Sequence, residues 1–133
     1  LSEQIKKEIT KSLIKKNNQE LFINFNRFNL TPGNFLLYNK ICGERDIDIN
    51  GNFLDNLKIL FDSYKKSKDI NLIKMSVFLT DVYFNNLSEE KETSIERLTS
   101  NKDFVLNNIN NFILYNLNQN SLINAINNKL SYG

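Results

Sequence analysis

Histidine and tryptophan are absent from the 133 residues, and cysteine, proline and methionine occur once each. Without histidine the chain lacks the commonest general base and the usual zinc ligand, so histidine-activated hydrolysis and a standard zinc centre are both excluded. The lone Cys42 cannot close an intramolecular disulfide, which fits a reducing compartment. Four glycines form no phosphate-cradling loop. No apolar run reaches the roughly eighteen residues that a membrane-spanning helix needs, and no secretory pattern opens the chain. A soluble, cytoplasmic protein with no direct membrane insertion is therefore expected. One-signed charge is missing too: 17 basic residues face 15 acidic ones, for a net +2, too weak a field to draw nucleic acid. The densest basic run, Lys6, Lys7, Lys11, Lys15 and Lys16, reads as the solvated face of a helix.

What the chain has is asparagine, 24 residues of it. Asparagine lowers helix propensity throughout, so apolar periodicity must carry the secondary-structure argument. Ile5, Ile9 and Leu13 recur every four residues and predict an amphipathic helix over 2–16, the end of a longer coiled segment upstream. A second helix is expected over 19–29, with Phe22, Phe25 and Phe28 on one stripe. Thr31-Pro32 is a strong start for a third, because threonine caps free amides and proline at the first helical position loses no hydrogen bond. Gly43 is expected to end it. A helix over 52–66 and a strongly apolar one over 70–86 follow. Ser88 repeats the cap of Thr31, and helices to about Leu98, over 107–118 and over 121–130 complete the chain. Asp46 to Ile49 and Asp103 to Leu106 alternate or cluster apolar residues like short strands.

A self-match at constant offset organises this reading: 87 − 30 = 57 and 103 − 46 = 57. At that offset Leu21 meets Phe78, Leu30 meets Leu87, Ile41 meets Leu98, Ile47 meets Phe104 and Leu60 meets Leu117, with Thr31 on Ser88 and Asp46 on Asp103. Two copies of one supersecondary unit are expected, aligning 21–61 with 78–118.

Residues that could carry chemistry are few. Asp46-Ile47-Asp48-Ile49-Asn50-Gly51 fits the opening of a calcium-binding helix–loop–helix loop, but its twelfth position is Leu57 where a bidentate glutamate should stand, so no bound metal is expected. Cys42 lies on the inner side of a helix end and reads as a packed residue rather than a nucleophile. No catalytic residue and no cofactor are expected, and an enzyme is the weakest of three readings.

Phe25-Asn26-Arg27-Phe28-Asn29-Leu30-Thr31-Pro32, Lys68-Asp69-Ile70-Asn71-Leu72-Ile73-Lys74-Met75 and Ser94-Ile95-Glu96-Arg97-Leu98 with Asp103-Phe104 resemble segments of degenerate, calmodulin-like EF-hand myosin light chains of apicomplexan parasites. The resemblance covers about two thirds of the chain. It departs between Lys68 and Leu87, where the family has helix, loop and helix and this chain has room for one helix. It implies an all-α fold with a pair of degenerate EF-hand lobes and two short strand segments: an N-terminal helix over 1–16, a first lobe over 17–66 and a second over 67–133. It also implies a non-catalytic module that binds and stiffens an amphipathic myosin heavy-chain helix without calcium. The groove would be lined by Phe22, Phe25, Phe28, Leu37, Ile41, Leu60, Phe78, Val82, Leu98 and Phe112. The rival reading is a compact all-α interaction bundle, like a viral apoptosis regulator, that holds a partner helix in a groove.

Overall fold

The computed structural model describes every residue except 1, 18–19, 25–27, 91–93 and 133, and the side chains at 17 and 132. It is all-helical: α1 (Glu3–Asn17), α2 (Pro32–Arg45), α3 (Phe53–Ser67), α4 (Ile70–Glu90), α5 (Ile95–Tyr115) and α6 (Gln119–Tyr132). Among the described residues there is no strand. The chain packs as two units, 1–51 and 52–133. The division falls at Gly51/Asn52, and residues 66–67, where a lobe boundary was expected, instead end α3 just before a tight helix–helix turn.

In the first unit α1 packs on α2. The inward face of α1 differs from the expected stripe. Ile5 and Ile9 are exposed while Thr10 is buried, which it tolerates because its hydroxyl donates to the Lys6 carbonyl at 2.7 Å. Residues 20–24 and 28–30 are not helical, so the expected second helix does not form there. Thr31 caps α2 as expected, its hydroxyl accepting from the Asn34 amide at 3.2 Å. Gly43 does not stop α2. The helix runs on to Arg45 and closes on Asp46, whose left-handed backbone (φ 53°) turns its N–H onto the Cys42 carbonyl.

The second unit is a four-helix arrangement in which consecutive helices pack and α6 returns to α3. The connections 68–69, 91–94 and 116–118 are short, which makes neighbouring helices antiparallel. Asn52 caps α3, and Lys68 ends it in the left-handed region (φ 58°). α4 has the most buried residues of any helix, nine in all, as its apolar sequence predicts, and its core includes Leu72, Met75 and Leu79.

Three expectations tied to the internal repeat give way here. Ser88 lies inside α4, where its hydroxyl donates to the Asn85 carbonyl at 2.8 Å; the cap is Ser94, which accepts from the Arg97 amide at 3.2 Å. Residues 104–106 sit within the unbroken α5. Residues 47–49 form an irregular connector in which Ile47 is buried. The repeat therefore aligns a helix start with a helix interior. The helical period of α5 runs through Leu98, Asn101, Val105, Ile109 and Phe112, all buried, and a polar residue at its second position hides that period.

Candidate functional site

Two places concentrate side chains in arrangements that packing alone does not require. The first lies in the first unit. Asn39 is fully buried on α2, and its carboxamide reads the backbone of the stretch before α2. Oδ1 accepts from the Phe22 N–H at 2.7 Å and the Ile23 N–H at 3.2 Å, and Nδ2 donates to the Glu20 carbonyl at 2.7 Å. A side-chain amide thus replaces a neighbouring strand or helix turn as the partner of three peptide groups. Phe22, held this way, lies across Gly43: a Cβ there would stand 2.5 Å from Phe22 Cε2. A cleft of about 250 Å³ opens beside it, lined by Glu20, Phe22, Asn39, Lys40, Gly43 and Glu44. Nearby, Cys42 is buried, and that burial, followed by the Asp48 carboxylate, pushes its thiol from an ordinary value of 9.0 up to about 12. It is therefore a protonated packing residue and no nucleophile at neutral pH.

The second place is the end of the second unit where the α3–α4 and α5–α6 turns lie side by side. Lys65 Nζ donates to Asn116 Oδ1 at 2.6 Å and stands 5.0 Å from the centre of the Phe112 ring. Phe112 packs at a tilt against Phe61 and Tyr64 in turn, with centroids 4.9 and 5.8 Å away. Lys68 caps this edge 5.3 Å above Tyr64. Ile70, Leu114, Tyr115 and Leu117, in or beside the same two turns, are exposed by 52, 64, 69 and 36%. Four large apolar side chains thus meet water near one end of a small bundle, and exposed apolar surface is where partners bind.

The ten residues expected to line a helix-binding groove are split between the units. Phe22 is exposed, Phe28 and Leu37 are half-buried and Ile41 is buried in the first unit; Phe25 lies outside the described residues. Leu60, Phe78, Val82, Leu98 and Phe112 are all core residues of the second unit. The structure thus gathers five of them in a packed interior, while the exposed apolar residues of that unit are ones the sequence reading passed over. Asn39 was recoverable, since it sits four residues after Phe35 and two before the start of the Ile41-Cys42 pair, on the inward side of a capped helix. Tyr115 carried no comparable sign.

The loop Asp46–Gly51 connects α2 to α3. Asp48 Oδ1 accepts from the Asn50 amide at 2.9 Å, the Gly51 amide bonds the Asp48 carbonyl at 2.8 Å, and Leu57 is wholly buried in α3. Among the described residues no three His, Cys, Asp or Glu side chains gather into a metal-holding group. Nor is any described helix long and apolar enough to cross a membrane. No protein-family model, no curated protein and no solved structure matches the chain.

Proposed function

We propose that this chain is a non-catalytic protein-interaction module whose second unit is a compact all-α bundle. Its contact surface is the end formed by Ile70, Leu114, Tyr115 and Leu117 with Lys65 and Lys68 beside them. The observation that carries this reading is the exposure of those four side chains at one place, next to an aromatic cluster that holds both turns in position. Tyr115 suits an anchor: it brings a large area, few rotatable bonds and a polar tip. Lys65 stays in place against the Phe112 ring, so a partner does not have to order it.

The light-chain reading, in which a partner helix lies among Leu60, Phe78, Val82, Leu98 and Phe112, requires the second unit to open. The burial of all five favours the bundle reading over it. A photo-crosslinking residue at position 115, compared with one at the exposed Lys58 within α3, tests the surface. An apolar partner segment captured at 115 and not at 58 supports it, and equal or absent capture at the two positions refutes it.

A further inference from the structure

Building on the interaction reading above, we infer that the segment seated on this end of the second unit is acidic: a peptide whose large apolar side chains meet Ile70, Leu114, Tyr115 and Leu117 and whose carboxylates meet Lys65, Lys66 and Lys68. Charge names it. From Phe104 to Asn128 the sequence carries no Lys, Arg, Asp or Glu, so the α5–α6 turn is neutral and the charge of this end comes from the α3–α4 side. There the three lysines stand against Asp69, a net of +2, and one turn further along each helix Asp62 and Lys74 cancel and leave that balance unchanged. Asp69 counts in full, since the Asn71 amide that its carboxylate accepts at 3.0 Å does not neutralise it.

The lysines are free to take carboxylates. Among the described residues the ion pairs are Lys6 with Glu3 and Lys102 with Asp81, so no described carboxylate holds Lys65, Lys66 or Lys68. Lys65 and Lys68 rest against the Phe112 and Tyr64 rings, and a ring face attracts a cation without neutralising it. The hydrogen-bond acceptor of Lys65 is the uncharged Asn116 carboxamide. Two full positive charges are thus held on one aromatic cluster, where an incoming carboxylate gains a charge-assisted hydrogen bond with little ordering of the lysine stems.

An anionic lipid surface suits this end less well. A membrane is a plane of one sign that meets Asp69 together with the lysines, so it draws on the net charge alone, at about 1 kcal/mol per basic residue. A peptide can set a carboxylate against each lysine and keep an uncharged side chain over Asp69.

Selection of random displayed peptides on the full chain tests this, with the affinity of the enriched sequences measured by fluorescence anisotropy at low and high salt. Two variants divide the surface. Leu114→Ser with Tyr115→Ser removes apolar anchors, and Lys66→Glu with Lys68→Glu turns the net charge from +2 to −2. All four positions are exposed, so folding is preserved, and circular dichroism verifies it. The enriched peptides are expected to combine Asp or Glu with large apolar residues, to bind more weakly at high salt, and to lose about tenfold in affinity on either variant. Peptides that need Leu114 and Tyr115 yet are neutral or basic overturn the inference while the interaction reading stands, as do peptides that bind the Lys66→Glu, Lys68→Glu variant as tightly as the wild type. Enrichment that ignores Leu114 and Tyr115, or none at all, refutes both. Cosedimentation with vesicles of phosphatidylserine and phosphatidylcholine that Leu114→Ser with Tyr115→Ser abolishes, where no peptide is enriched, overturns the acidic segment in favour of a lipid surface.

Discussion

Replacing Asn39 with alanine removes one side chain and orphans three peptide groups. The Ile23 amide belongs to a buried residue, and leaving it without an acceptor costs about 1–3 kcal/mol. The Phe22 amide and the Glu20 carbonyl belong to exposed residues and regain water in part, so each loses only the net worth of a hydrogen bond, about 0.5–1.5 kcal/mol. The sum is about 2–6 kcal/mol. A unit of 51 residues at typical values of about 0.05–0.15 kcal/mol per residue holds only about 2.5–7.5 kcal/mol in all. Asn39→Ala should therefore bring the first unit close to unfolding while sparing the second. Amide hydrogen exchange reads this residue by residue. The Phe22 and Ile23 amides should lose roughly thirtyfold or more in protection, since each tenfold corresponds to about 1.4 kcal/mol, and the amides of α3 and α5 should not change. Asn39→Asp keeps the oxygen that accepts both amides but cannot donate to the Glu20 carbonyl and buries a charge, so it should not rescue. Unaltered protection at residues 22 and 23 in Asn39→Ala would show that the clamp does not hold the stretch.

Asn101 Oδ1 is buried with no hydrogen-bond partner among the described residues, so Asn101→Leu should raise the stability of the second unit by about 1–3 kcal/mol in urea unfolding; a fall would mean that the amide is satisfied in solution. Leu60→Ala, at a site with no exposure, should cost about 2–5 kcal/mol by the same assay. Cys42 keeps its proton up to about pH 12 in the folded chain, whereas the unfolded thiol ionises near its ordinary 9.0. The stability contributed by the neutral buried thiol is thus fully present below the unfolded value and is lost as pH rises from there toward the folded one. Reaction with a thiol reagent at pH 8 should accordingly track unfolding, and fast labelling of the native chain would contradict its burial. Millimolar calcium should leave the melting curve unchanged, because the Asp46–Gly51 connector lacks a closing glutamate; an upward shift would overturn that.

The parts of the fold legible in the sequence are those where one local signal suffices. The Thr31-Pro32 cap, the Asn52 start and the apolar run of α4 all stand where their chemistry put them. Legibility failed where a polar residue took a core position. Asn101 interrupts the apolar stripe of α5 and made a 21-residue helix look like a helix and a strand. Asn39 draws the backbone of residues 20–23 away from the helix that the Phe22 and Phe28 spacing suggested. The internal offset then aligned these misread pieces with each other, since a chain rich in Asn, Leu and Ile matches itself without sharing structure. At the candidate surface, Leu114 and Tyr115 follow an apolar stripe closely enough to pass for core, and only the packing shows that the stripe ends at Phe112.

The two-residue link between α3 and α4, with its left-handed Lys68, also sets an order in time. In the second unit α3 on α4, α4 on α5 and α5 on α6 join helices adjacent in sequence, while α6 on α3 and Phe112 on Phe61 and Tyr64 do not; contacts between adjacent helices form fast, and chains rich in them fold in microseconds to milliseconds. In the first unit the Asn39 clamp must find amides 16 and 17 residues upstream, and none of its three hydrogen bonds stabilises anything until that loop has closed. The α3–α4 hairpin is thus the earliest piece to form, and on refolding the amides of α3 and α4 should be protected before those of Phe22 and Ile23, while the contact of Phe61 with Phe112 waits on the closure of a longer loop.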